Sequence, residues 1–147
     1  MNFINNDEIV GRALFEPQWD DSVKRPSPGA FTRNNTSVTR HTFLTQEDLI
    51  EILKKDVENE KVTVKAVGLI HVSTIKDIGD PSKIFFEVSE MPTVNNPHHG
   101  EILPFEDEEK RKIKSAVPRG VSRKIGEALE ILTLTVSGDV IDRLPPQ

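Results

Sequence analysis

A chain of 147 residues with 35% hydrophobic side chains can bury a substantial core unaided, and with no cysteine it has no disulfide, no thiolate chemistry and no cysteine-ligated zinc. A net charge of −5 argues against a general nucleic-acid binder, and seven Phe, one Trp and no Tyr leave few platforms for stacking single-stranded bases. No apolar run approaches the ~20 residues of a membrane span. The opening eight residues carry neither the basic region nor the apolar stretch of a signal peptide, so the expectation is a cytoplasmic protein with no membrane partner.

Residues 1–8 are polar and expected to fray, as is the tail at 143–147, within one domain spanning 1–147. Residues 9–15 (IVGRALF) read as a first short strand, weakened by Gly11. Residues 16–35 hold Pro17, Pro26, Pro28 and Gly29 with little periodicity, and read as a long loop pinned by Trp19 and Phe31. A short strand follows at 36–43, where Ser37, Thr39 and His41 alternate with Val38, Arg40 and Thr42. Thr45 then has the character of an N-cap, with Glu47 and Asp48 in the first turn. Leu49, Ile50, Leu53 and Val57 recur at helical spacing, which predicts an amphipathic helix over 46–57.

The strongest strand signal covers 61–75, alternating at first and then apolar throughout Val67-Gly68-Leu69-Ile70. Turn residues at 79–82 separate it from a strand at 84–88, which predicts a hairpin at the centre of the sheet. Residues 91–105 read as a second long loop, bracketed by Pro92 and Pro104. Acidic residues at 106–109 ahead of basic ones at 110–114 match a helix dipole and predict a short exposed helix, ended by Pro118. Val121, Ile125, Leu129 and Leu132 predict a final packed helix, and residues 134–136 a small strand turned by Ser137-Gly138-Asp139. Together these make an α+β fold: a small, mainly antiparallel sheet with two or three packed helices and two long loops.

Chemistry concentrates in Asn96-Pro97-His98-His99-Gly100-Glu101-Ile102. In an extended segment His99 and Glu101 share one side, as an acid–base pair would require. The spacing matches no zinc signature such as HExxH, and neither a metal nor another cofactor is called for. A plainer alternative is a turn shaped by Pro97 and Gly100, with His99 bonding the backbone. Arg25, Arg33 and Arg40, with the hydroxyls of Ser27 and Ser37, offer donors for an anion; solvated arginines balancing Glu16, Asp20 and Asp21 are the simpler account. There is no GxSxG elbow and no phosphate loop. The basic residues between 110 and 124 read as a solvated helix face before they read as a docking patch, and His71 as a satisfied core or edge histidine.

Two of these patches resemble a group of small, functionally uncharacterised bacterial proteins. The likeness lies in Arg25, Pro26 and Ser27 closing on Ala30 and Phe31, then Ser37 and Val38, and later Asn96, Pro97, His99, Glu101 and Ile102. It implies that His99 rather than His98 matters and that the two loops form one feature, but it brings no activity. The expected function is an accessory or binding protein recognising an anionic ligand or a protein partner through Arg25, Ser27, Ser37, Arg40 and Asn96 beside His99 and Glu101. One alternative is a small hydrolase or transferase acting on a phosphorylated or nucleotide-like substrate. There His99 is the acid–base group, Glu101 orients it, and the arginines clamp the anion. Another is a structural interaction module locked by Arg25 and Glu101.

Overall fold

The computed structural model describes residues 2–113 and 115–147; Met1 and Lys114, both part of the readings above, lie outside them. Strand β1 (Ile9–Leu14) sends Val10 and Leu14 to one core and Ala13 to another, so it lies mid-sheet with both faces covered. The stretch at 16–35 is not structureless, because β2 (Trp19–Asp20) and β3 (Arg25–Pro26) pair within it. Trp19 and Phe31 are buried as expected, and the Phe31 N–H donates to Ser122 Oγ at 2.8 Å. Strand β4 (Thr36–Arg40) follows. Helix α1 (Gln46–Val57) begins where its cap predicts, with Thr45 Oγ1 accepting the Asp48 N–H at 3.1 Å, and it buries Leu49, Ile50 and Leu53.

The expected central hairpin does not form. Strand β5 (Ala66–His71) ends early, and the chain turns directly into helix α2 (Val72–Gly79). Val72 and Ile75, one helical step apart, both reach full burial that way, which a continued strand would deny to one of them. A 3₁₀ turn (Asp80–Ser82) leads to β6 (Phe85–Glu90), made possible by Gly79, where a Cβ would sit 2.3 Å from the Ile84 carbonyl oxygen.

The second long loop is also shorter than expected, since 99–105 is strand β7 (His99–Phe105). Pro104 is tolerated because its carbonyl, accepting Ile113 N–H at 3.3 Å, points away from β6. The missing Pro104 N–H lies on that same side, beyond the end of β4. Residues 106–113 form a turn instead of a helix. The Asp107 carboxylate captures the backbone N–H groups of Glu109 and Arg111, and Lys110 takes a left-handed φ of 63°.

Helix α3 (Arg119–Ala128) keeps Val121 and Ile125, but Leu129 caps it and Leu132 belongs to β8 (Glu130–Leu134). The polar end of the chain is strand β9 (Val140–Leu144), not a loose tail, and Gln147 N–H still bonds Glu127 O at 2.8 Å. The beginning is likewise held: Ile4 is buried, and its N–H donates to Val88 O at 2.9 Å.

The fold is α+β: seven strands in the order β6-β7-β4-β1-β5-β8-β9, every named ladder antiparallel, with three helices packed on it. Helices α2 and α3 cover one face through Val72, Ile75, Val121 and Ile125. Helix α1 covers only part of the other, packing Leu49 and Leu53 over Ala13, Val67 and Leu132. Its C-terminal end therefore stops beside a polar stretch of sheet. Among the described residues no helix is long and apolar enough to cross a membrane.

Candidate functional site

Strands β1 and β4 pair only at Val10↔Arg40 and Gly11↔Thr39, and then separate. Arg12 fills the opening. Its Nη1 donates to Ser37 O at 2.9 Å and its Nη2 to Ala30 O at 3.2 Å, with the guanidinium 5.4 Å from the Phe31 ring centroid. One edge of the group reaches the surface, while Nε is fully buried and has no partner. Burial, reinforced by the like charge of Arg33, lowers the Arg12 pKa to about 10, so it stays cationic at neutral pH.

A cavity of about 290 Å³ opens at this point, bounded by Arg12 and Arg33, by Ser37 and Thr39 of β4, by Asp56 of α1 and by His99. Phe15, Leu53 and Val57 supply its apolar wall. Among the described residues neither Arg12 nor Arg33 pairs with a carboxylate. Gln18, also on the wall, buries Oε1 without a partner.

The loop between β6 and β7 closes one side. Its anchor is Asn96, fully buried, whose Nδ2 donates to Thr39 Oγ1 at 2.9 Å and more weakly to Asp56 Oδ2 at 3.4 Å. Asn96 Oδ1 accepts the His98 N–H at 3.0 Å, so one side chain ties the loop to β4 and to α1. His99 lies opposite Thr39 in the ladder, and its Nδ1 is 2.9 Å from Met91 O. A carbonyl can only accept, so Nδ1 carries the proton, and Nε2 of the neutral ring is left as an acceptor.

The structure thus gathers Arg33, Ser37 and His99 around one cavity, with Asn96 buttressing it. Glu101 shares the His99 face and stands opposite Ser37 and Ser89, but it is not part of the wall. Arg25 donates to Pro145 O at 3.1 Å, and Ser27 to Pro17 O at 2.6 Å, both away from the cavity. Arg25 and Glu101 form no ion pair among the described residues. Arg40 forks onto Glu8, Nε to Oε1 at 2.9 Å and Nη2 to Oε2 at 2.7 Å, with Thr42 also on Oε1. The exposed basic stretch contributes nothing to the cavity, and among the described residues no three His, Asp or Glu side chains are placed to hold a metal.

Arg12, like Gln18 and Asp56, is a wall residue the sequence reading passed over. Its signal was present: in Val10, Arg12 and Leu14 a charge takes an inward position of a strand whose period is two. No protein family, curated protein or solved structure matches this chain, and the cavity is interpreted on its own geometry.

Proposed function

We propose that this is a binding protein for a small molecule bearing an oxyanion, a carboxylate or phosphate, held in the cavity between α1 and the β1–β4 split. The observation that carries the reading is the pair of arginines on one concave wall, neither of them paired with a carboxylate among the described residues. Holding two like charges together is unfavourable, and an anion relieves it. Arg12 is fixed by two backbone carbonyls and an aromatic ring, so its fork is preorganised and little side-chain entropy remains to be lost on binding. The cavity suits a metabolite-sized ligand, and the net charge of −5 disfavours a nucleic-acid polymer. A cysteine-free chain suits the reducing cytoplasm.

The test is thermal melting at low ionic strength with a panel of small carboxylates and phosphate esters, on the wild type and Arg33→Gln. Saturation at about 100 Kd contributes about 2.7 kcal/mol of stability, readily seen as a raised Tm. At least one anion should raise the wild-type Tm and fail to raise that of Arg33→Gln. A panel with no shift, or equal shifts in both proteins, removes the proposal. The hydrolase or transferase alternative draws support from the free Nε2 of His99 alone; turnover of a phosphate ester, lost in His99→Gln, is the result it requires.

A further inference from the structure

We propose that the ligand is zwitterionic, a small amino acid whose carboxylate meets the arginines and whose ammonium meets Asp56 and His99; this rests on the anion-binding reading above. The cavity that holds two unpaired guanidinium groups also holds a carboxylate, and among the described residues Asp56 makes no ion pair with either of them. Among the described residues its side chain accepts only the long hydrogen bond from Asn96 Nδ2 at 3.4 Å. Opposite charges in one small space that do not meet are available to a molecule that spans them.

The position of Asp56 strengthens the case. It occupies the last turn of α1, where the helix dipole is negative and an acidic side chain is disfavoured. A cation placed there offsets both the carboxylate and the carbonyl end of the helix. A second group on the wall is His99, whose Nδ1–H is committed to Met91 O, so that its neutral ring offers Nε2 as an acceptor. Carboxylate and imidazole nitrogen together suit an ammonium, which brings three N–H donors. A simple carboxylate or phosphate would leave both unanswered. Phe15, Leu53 and Val57 give an aliphatic side chain a surface to rest on.

The decisive measurement is calorimetric titration with three matched pairs: glycine and acetate, leucine and 4-methylpentanoate, aspartate and succinate. Each pair differs by the ammonium group. In at least one pair the amino acid should bind tenfold or more tightly than its deaminated partner. Asp56→Asn, which keeps an amide oxygen for Asn96, should bring that ratio to near one, with the deaminated acid binding no more weakly than it does to the wild type. If the deaminated acids bind as well as the amino acids, or if the preference survives in Asp56→Asn, the zwitterion proposal is overturned and the anion reading stands. If neither member of any pair binds, and phosphate esters do not bind either, both fall.

Discussion

The molecule contains two arginine clusters on neighbouring strands, and they have been treated in opposite ways. Around Arg40 everything is answered: Glu8 takes both forks of the guanidinium, Thr42 bonds the same carboxylate, and Glu90 approaches at 3.9 Å. Arg12 has two backbone carbonyls, an aromatic ring and the like charge of Arg33 about it, and the one carboxylate on the same wall, Asp56, pairs with neither arginine among the described residues. The first arrangement locks the segment before β1 onto the end of β4. The second keeps charge in reserve beside a void. A guanidinium in a polar loop says little by itself; what separates scaffold from site is whether a carboxylate has come to meet it.

Breaking the first cluster should produce the largest effect. Glu8 and Arg40 have side chains only 8% and 16% exposed, so removing one partner strands a nearly buried charge. Arg40→Leu should lower the unfolding free energy by about 3 kcal/mol in denaturant titration, near the lower end for a buried pair. Arg33→Gln, on the cavity wall, should stay within about 0.5 kcal/mol of the wild type, as surface changes without partners do. Equal losses in the two variants would erase the distinction between the clusters.

A middle-sized effect belongs to Asn96. Replacing it with Ala leaves Thr39 Oγ1 and the His98 N–H without their partner in a buried place, at about 2 kcal/mol. Amide exchange at 96–99 should accelerate along with the loss of stability. A variant as stable and as protected as the wild type would show that the loop is held by something else.

The smallest effect is visible through pH. Hydrogen bonds from Arg40 hold the Glu8 carboxyl below its ordinary 4.5. The folded pKa is depressed, so the pair's stabilisation is complete above pH 4.5 and lost as pH falls through the lower, folded-state value. Glu8→Gln should flatten that part of the acid limb, an outcome measurable by melting between pH 2 and 6. An unchanged acid limb would mean that other carboxylates govern it.

Legibility from sequence followed local chemistry. Helix α1 was readable to the residue because its cap and its apolar spacing coincide. The switch from β5 to α2 was not, since no Gly, Pro or side-chain cap marks it; His71 occupies the N-cap position without a capping bond, and the β-branched Val72, Thr74 and Ile75 favour strands. Leu129 and Leu132 continued the helical spacing of α3 by coincidence, although one ends the helix and the other points from a strand. Of the residues singled out from the sequence, Ser37 and His99 line the cavity and Asn96 bonds Thr39 beside them. Arg25, Ser27 and Arg40 were grouped with them by sequence proximity, and the sheet register carries those three elsewhere. Asp56 was hidden in the polar face of a helix, where nothing local separates a solvated acid from one beside a void.

The cavity wall is drawn from four separate lengths of chain, residues 12–18, 33–39, 53–57 and His99. On the binding reading, an occupant would touch the end of a helix and three strands at once, at the place where β1 and β4 part. It would act as a rivet across that seam, and amide exchange there should slow when it is present.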